Sequence, residues 1–156
     1  MKKFIMILLV LSLGTELHAQ RIAKNAIGIR IGDNDGLGGE VSYQRYLREN
    51  NRLEFDLGWR NGTNHDAVKL VGLYQWVMPI ENRFQWYVGA GAGVGAFNHK
   101  NDDNGNFALI AGDIGIEYNF EIPLLIALDI RPEFGFNDRY SDDLDLDLAF
   151  SIRYQF

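Results

Sequence analysis

The chain has 156 residues with a formal net charge of −6, no cysteine, 17 glycines and 13% aromatic residues. This length fits one domain, and the absence of cysteine excludes disulfides and thiol catalysis. The acidic balance argues against a nucleic-acid partner, because a phosphate backbone attracts basic proteins. Abundant glycine and aromatic residues favour strands and turns over helices.

The amino-terminal segment has the pattern of a secretory signal peptide. Lys2 and Lys3 precede an apolar run over residues 4–13, and a short polar segment ends at Ala19. A run of this length is too short to span a bilayer as a helix. We therefore expect cleavage after Ala19, with residues 1–19 as the signal peptide and residues 20–156 as the mature domain. An amphipathic first helix is the weaker alternative, because the run has no polar face.

The mature chain reads as eight strands in which apolar and polar residues alternate. The period of two is clear in the first segment, where Ile27, Ile29 and Ile31 alternate with Gly28 and Arg30. The predicted strands cover residues 24–32, 38–47, 52–60, 67–78, 83–97, 107–120, 124–136 and 144–156.

Three of these segments carry special features. In the fourth strand, Lys69 and Gln75 indicate which face is polar, and residues 78–82 read as a turn. The fifth strand has a glycine at every second position over residues 89–95. Its resemblance to a dinucleotide-binding fingerprint carries little weight, because no helix follows. Pro132 cannot donate a ladder hydrogen bond, so we expect a bulge or frayed pairing there.

The connections alternate in length and charge. Those after the first, third, fifth and seventh strands are acidic and include the longest, over residues 98–106. The others are short. After residue 20 no apolar run is long enough for a transmembrane helix, so any membrane-spanning structure must consist of strands. Long loops at one end and short turns at the other predict an eight-stranded antiparallel up-and-down transmembrane β-barrel with long loops outside.

In such a barrel the polar face of every strand lines the lumen. Charges of both signs would then be buried together, which requires ion pairs and hydrogen bonds. We therefore predict an ionic network that plugs the lumen rather than a diffusion pore. Its expected members are Arg30, Glu40, Glu54, Asp56, Arg60, Lys69, Asp113, Glu117, Asp129, Arg131, Glu133, Asp145, Asp147 and Arg153. The rival reading is an open soluble sheet with these charges in solvent.

The carboxy-terminal strand alternates large apolar and small or polar residues and ends with Tyr154 and Phe156. With the signal peptide and the eight strands, it makes the chain resemble the small outer-membrane β-barrel proteins of Gram-negative bacteria. The likeness is to OmpX-type and OmpA-transmembrane-type barrels and to the "outer membrane protein beta-barrel domain" families. The resemblance covers residues 24–156. It implies that Tyr154 and Phe156 form the signal read by the barrel-assembly machinery.

This reading predicts a monomeric protein of the cell outer membrane that contacts membrane lipid and lipopolysaccharide and binds no cofactor. Its expected role is structural or adhesive, presenting acidic loops to the exterior. Three alternatives remain: a small-solute channel or transporter, a lipid-modifying enzyme using Ser141 and His99, and a soluble secreted barrel that binds an apolar ligand. No enzymatic motif supports catalysis, so we expect no enzyme.

Two further sets of residues have testable positions. The acidic loops contain weak candidates for a divalent cation that bridges to lipopolysaccharide, although solvated loops are the simpler reading. These candidates are Asp102, Asp103, Asp142 and Asp143. Aromatic residues near strand ends are interpreted as membrane-interface girdles. The outer girdle would hold Trp59, Phe97, Phe107, Phe134 and Tyr140, and the inner one Trp76, Trp86, Tyr118 and Tyr154.

Overall fold

The computed structural model describes residues 23–32, 38–61, 65–99, 104–136 and 144–156, and they form eight antiparallel strands. The strands are β1 (Asn25–Gly32), β2 (Gly38–Arg48), β3 (Asn51–Asn61), β4 (His65–Glu81), β5 (Phe84–His99), β6 (Asn104–Asn119), β7 (Leu124–Gly135) and β8 (Leu144–Gln155). Within the described ranges we find no helix long and apolar enough to cross a membrane. The expected signal peptide, residues 1–19, lies outside these ranges.

Each strand pairs with the next in the chain, and β8 pairs with β1 to close a barrel. On β1, Ile29 lies opposite Val41 of β2 and Ile152 of β8. At the end of the seam, the amide of Asn25 donates to the carbonyl of Phe156 at 3.0 Å, and the Phe156 amide donates back at 2.9 Å. Closure gives every strand a neighbour on both sides. The predicted eight-stranded antiparallel barrel is therefore confirmed.

The large apolar side chains point away from the barrel axis and the charged ones point into it. On β8, Phe150 and Ile152 are exposed, whereas Ala149, Ser151 and Arg153 are buried. The alternation follows from the two-residue period of a strand. This is the reverse of a soluble barrel, in which the apolar face of each strand fills the interior.

Strands β4, β5 and β6 are the longest, with 17, 16 and 16 residues. The prediction of a turn over residues 78–82 was wrong, because β4 continues to Glu81 and its pairing shifts only between Pro79 and Glu81. The turn consists of Asn82 and Arg83, and Asn82 has a positive φ of 51°. Asparagine tolerates this left-handed conformation better than most residues. The expected loop over residues 98–106 is likewise shorter, since β5 reaches His99 and β6 begins at Asn104.

Pro132 interrupts the ladder between β6 and β7 as expected from the sequence. Pairing is present at Ala111 with Glu133 and again at Ile114 with Ile130, but not between these pairs. The register is the same on both sides of the interruption, so the pairing is frayed rather than bulged. The missing proline N–H explains the break. On its other side Pro132 remains in register with Leu146 of β8.

The β1–β8 seam depends on a glycine. A Cβ atom placed on Gly28 would lie 1.9 Å from the Ile152 carbonyl oxygen and 2.6 Å from the Arg153 Cα atom. Both are backbone atoms of the partner strand, so they cannot move aside without opening the seam. By contrast, a Cβ on Gly39 of β2 would meet nothing within 4 Å.

We expect Gly28→Ala to lower the free energy of unfolding by about 3 kcal/mol or to prevent closure, because overpacking against backbone cannot relax. Urea unfolding of the refolded mature chain in detergent micelles, followed by tryptophan fluorescence, measures this change. Gly39→Ala is the matched control and should unfold within about 1 kcal/mol of the wild type. Equal behaviour of the two variants would contradict a tight seam at Gly28.

Candidate functional site

The lumen is the candidate site, because most of the buried charge of the described chain is collected there. Eight carboxylates and five cationic side chains are buried in it. The cations are Arg30, Arg52, Lys69, Arg131 and Arg153, and the carboxylates are Glu40, Glu54, Asp56, Asp113, Glu117, Asp129, Glu133 and Asp147. Burial of these groups at low dielectric requires that they compensate one another.

Arg30 of β1 is fully buried and holds carboxylates from three other strands. Its Nη2 lies 2.5 Å from Asp129 Oδ1, while its Nη1 lies 3.0 Å from Glu40 Oε2 and 2.6 Å from Asp147 Oδ2. Its Nε also donates to Asp129 Oδ1 at 3.0 Å. The planar guanidinium with its five N–H donors suits such branched pairing. The Asp129 pair joins β1 to β7, two strands that are not neighbours in the sheet.

Arg131 of β7 makes a second junction across the lumen. Its Nη2 lies 2.6 Å from Asp56 Oδ2 and 3.2 Å from Glu54 Oε1, both on β3. Its Nη1 lies 3.4 Å from Glu40 Oε2 on β2. Glu40 is therefore shared by Arg30 and Arg131, which makes one continuous network of the two junctions.

Arg153 of β8 extends the network at the level of Glu54. Its Nη2 lies 3.2 Å from Glu54 Oε2, and its Nε donates to the Ser42 hydroxyl at 2.9 Å. The amide of Gln44 also donates to Glu54 Oε2, at 2.5 Å. One carboxylate on β3 thus accepts hydrogen bonds from side chains of β2 and β7 and forms an ion pair with β8.

Arg52 of β3 is a member of the lumen that the sequence analysis did not identify. Its Nη2 lies 2.8 Å from Glu117 Oε2 and its Nε donates to Gln75 Oε1 at 2.5 Å. Its guanidinium carbon also lies 4.7 Å from the centre of the Tyr87 ring, a cation–π contact. The signal was present, because Arg52 has the same parity as Glu54 on the polar face of β3.

The end of the lumen farther from the short turns holds Lys69 of β4. Its Nζ lies 2.7 Å from Glu133 Oε1 and 3.9 Å from Glu40 Oε1. A shallow pocket opens beside it, lined in part by Gly32 and Gly58. Asp145 lies on the same side, half-buried and opposite Glu133 in the β7–β8 ladder.

The structure thus unites most of the predicted network. Arg30, Arg131, Arg153, Lys69 and their carboxylate partners form it. Asp113 is buried and accepts a hydrogen bond from Gln75. For Asp145 we find no ion pair with another described residue. The side chain of Arg60 lies outside the described part of the structure.

An apolar cluster also lies in the lumen, beside the charged residues of β4 and β6. Strands β4 to β6 contribute one buried cluster, formed by Val71, Leu73, Phe97, Phe107, Leu109 and Ala111. Phe97 and Phe107 stack with their ring centres 6.5 Å apart. Their interpretation as outer-girdle residues was therefore wrong, because their odd positions face the lumen. The glycine face of β5 makes room for this packing, since a Cβ on Gly95 would lie 2.2 Å from the Phe107 ring.

The surface of the barrel is an apolar belt. It includes Ile27, Ile29, Ile31, Val41, Phe55, Leu57, Trp59, Leu70, Trp76, Trp86, Val94, Ile110, Ile114, Ile116, Leu128, Ile130, Phe134, Leu146, Leu148, Phe150, Ile152 and Tyr154, all exposed. Aromatic pairs lie near the end of the belt beside the short turns. There Tyr118 contacts Phe84 and Phe120, with 4.8 and 4.7 Å between ring centres. Polar side chains, Asp66 and Asn98, follow the belt at the opposite end.

The remaining predicted residues are either at this surface or outside the described ranges. Tyr154 and Phe156 are exposed, with stacked rings 6.4 Å apart. Ser141 lies outside the described residues, and of His99 only the backbone is described. The four weak metal candidates, Asp102, Asp103, Asp142 and Asp143, and the outer-girdle residue Tyr140 also lie outside, so those hypotheses stay predictions.

Comparisons with known proteins place this architecture among small outer-membrane barrels. The N-terminal barrel domain of Pseudomonas aeruginosa OprF is 12% identical with a TM-score of 0.72, covering 85% of this chain and 96% of that one. Neisserial surface protein A is 9% identical with a TM-score of 0.65, covering 85% and 94%. Ail, the attachment invasion locus protein of Yersinia pestis, is 16% identical with a TM-score of 0.54, covering 85% and 96%.

No family model and no curated protein matches the sequence. At these low identities the similarity concerns the fold, which can be shared by proteins of different function. The chain has the closed eight-stranded fold of the small outer-membrane β-barrels.

We expect Arg30→Gln to lower the free energy of unfolding by about 3–5 kcal/mol, because it leaves three buried carboxylates without their shared partner. Equilibrium urea unfolding in micelles measures the change. Arg83→Gln is the control, since Arg83 pairs with an exposed Glu121 at 3.2 Å. It should cost less than about 1 kcal/mol. Similar losses in both variants would mean that Arg30 does not act through burial.

Proposed function

We propose that this chain is an integral outer-membrane barrel whose lumen is filled by its own side chains. Its role is to stabilise the envelope and to present loops at the cell surface. The observation that carries the proposal is the reversed burial pattern: Arg30 and Arg131 are fully buried, whereas Leu146 is 62% and Ile29 50% exposed. Only a solvent that is itself apolar makes this arrangement favourable, because water would drive the isoleucine and leucine side chains inward.

The height of the apolar belt supports a bilayer location. On β5 the outward residues are apolar from Phe84 to Ala96. Twelve residue steps correspond to about 40 Å along a strand. With the tilt of about 40° usual in such barrels, this becomes about 30 Å along the membrane normal. That matches the hydrocarbon thickness that a spanning strand must cross.

The cross-lumen ion pairs support a closed interior rather than a channel. Arg131 of β7 reaches Asp56 of β3, so its guanidinium bridges opposite sides of the barrel, and Arg30 of β1 reaches Asp129 of β7, two strands away. The apolar cluster of β4 to β6 occupies the part of the lumen beside these strands. An eight-stranded barrel has an interior only wide enough for side chains.

The expected orientation places the short turns in the periplasm and the acidic connections outside. In this orientation the acidic loops meet lipopolysaccharide, to which divalent cations would bridge them. Tyr154 and Phe156 lie at the periplasmic end, where we propose that the barrel-assembly machinery reads them. We propose a monomer, since the closed ladder needs no partner strand. We also propose that it has no catalytic activity.

The proposal predicts that the mature protein is in the outer-membrane fraction and is heat-modifiable. Unboiled and boiled samples should migrate differently on a denaturing gel, because a closed barrel resists detergent until it is heated. Recovery as a soluble periplasmic protein without detergent would contradict the membrane assignment. It would support a soluble barrel with the opposite facing.

A second prediction concerns the lumen. In planar lipid bilayers the refolded barrel should give no sustained conductance, because the ionic network and the apolar cluster occupy the lumen. A channel-forming porin run in parallel is the positive control. Stable unitary current steps from heat-modifiable protein would contradict the closed lumen and favour the channel alternative.

A further inference from the structure

A group of basic side chains lies at the start of β1 and the end of β2. This is the end of the barrel that carries the short turns (the turn end), and the group is outside the ionic lumen. Lys24, Arg45 and Arg48 are all exposed. Arg45 is directly opposite Asn25 in the β1–β2 ladder, and the Lys24 carbonyl accepts the Tyr46 amide at 2.8 Å. The three cations therefore occupy one short stretch of the barrel edge, which we call the basic rim.

Arg45 belongs to the outward face of β2. Its neighbour across the β2–β3 ladder is Leu53, and the preceding outward residues of β2 are Val41 and Tyr43. The side chain thus starts on the membrane-facing surface, at the edge of the apolar belt. A long cationic side chain in this position can lay its methylene groups on apolar surface and extend its charge to the membrane–water boundary.

The basic rim has no ion-paired partner within the described residues. Neither Lys24, Arg45 nor Arg48 forms an ion pair with another described side chain, whereas Arg83 on the opposite side of the same end is paired with Glu121. After the local register shift between Tyr46 and Arg48, Arg48 pairs with Asn51, which carries no charge. The carboxylate of the adjacent turn is that of Glu49, which is exposed.

We propose that the basic rim binds the headgroup phosphates of anionic phospholipids in the periplasmic leaflet. The inference rests on the proposed function for the membrane and for the orientation of the barrel. Charge complementarity selects the partner, because phosphate oxygens accept from guanidinium groups in paired hydrogen bonds. The location of Arg45 favours a lipid headgroup over a dissolved anion, because its side chain projects from the lipid-facing side of the wall. The rest of the outward surface of β1 and β2 is apolar up to this point.

The binding would anchor one side of the barrel at a defined depth. Basic residues close to an anionic membrane surface are attracted to it individually, and three together make the preference cumulative. Among the described residues, the side of the barrel formed by β4 to β7 has no comparable group, because Glu81, Arg83 and Glu121 there carry both signs. The retained lipid would therefore lie against β1 and β2.

Native mass spectrometry of the folded mature barrel tests the proposal. The probes are phosphatidylglycerol and phosphatidylcholine with identical acyl chains, supplied together in equal amounts in detergent micelles. We expect the wild type to retain phosphatidylglycerol preferentially. Arg45→Gln should reduce the ratio of the two retained lipids about fivefold, and Lys24→Gln/Arg45→Gln/Arg48→Gln should abolish the preference. Arg83→Gln is the control and should keep the wild-type ratio.

Several outcomes overturn the inference. These are equal retention of both lipids by the wild type, an unchanged preference in the triple variant, and a loss of preference in Arg83→Gln as large as that in Arg45→Gln. Abolition of the preference by excess inorganic phosphate would indicate a site for a small dissolved anion instead. If the triple variant does not fold, the single variants Arg45→Gln and Arg48→Gln decide, and an unchanged ratio in both overturns the proposal.

Heat-modifiability of each sample separates this inference from the proposed function. A wild-type chain that is heat-modifiable but shows no lipid preference overturns the basic rim alone. A wild-type chain that never becomes heat-modifiable in either lipid overturns the membrane barrel itself.

Discussion

The rest of the structure depends on the closing of the backbone ladder. In a hydrocarbon environment a backbone N–H or C=O without a partner is costly, so a spanning sheet must join its first strand to its last. Here β1 meets β8 over seven register pairs, from Ala26 with Gln155 to Gly32 with Ala149. The seam requires Gly28, because the backbone of Arg153 approaches too closely for a side chain. Around Pro132 the ladder between β6 and β7 is incomplete, with no pair between Ala111–Glu133 and Ile114–Ile130.

Closure places the side chains of each strand in two environments, the outer surface and the lumen. The ionic lumen is the consequence. Burying ion pairs does not by itself make a protein more stable than an apolar core would. Here the ion pairs act by fixing the register of the strands. A slip of one residue would exchange the two faces of a strand and put Arg30 or Arg131 into lipid. The ion pairs therefore fix which face is inside for the strands that carry them, which the apolar belt alone would specify less sharply.

The interior and the rim are both asymmetric. Strands β4 to β6 give the lumen an apolar cluster, and the small residues of β5 allow Phe107 and Leu109 to pack against the wall. Most of the buried charges come from the remaining strands, and β4 and β6 add Lys69, Asp113 and Glu117. At the turn end, uncompensated cations lie on the β1–β2 side, whereas Arg83 on the other side is neutralised by Glu121. A barrel built from one repeated alternation thus offers distinct surfaces to the lumen and to each membrane boundary.

Local periodicity determined which residues of each strand share a face. The alternation of Ile27, Ile29 and Ile31 with Gly28 and Arg30 needs no tertiary information, because side chains on a strand point to opposite sides in turn. The eight strands, their antiparallel order and the reversed facing all followed from such patterns. The same rule, applied consistently, would have placed Phe97 and Phe107 in the lumen. Their position near strand ends suggested a girdle instead, and Arg52 was missed because it stood at the first residue of its predicted strand.

Tertiary structure alone decided which lumen residues meet. Arg30 and Asp129 are 99 residues apart, and their contact depends on strand tilt, on the stagger around the closed barrel and on the space that the β5 glycines leave. None of these is a property of a single segment. The sequence by itself therefore determined the fold and its two faces, since both follow from a local period. The partners within the lumen arise from how eight such periods are aligned in three dimensions.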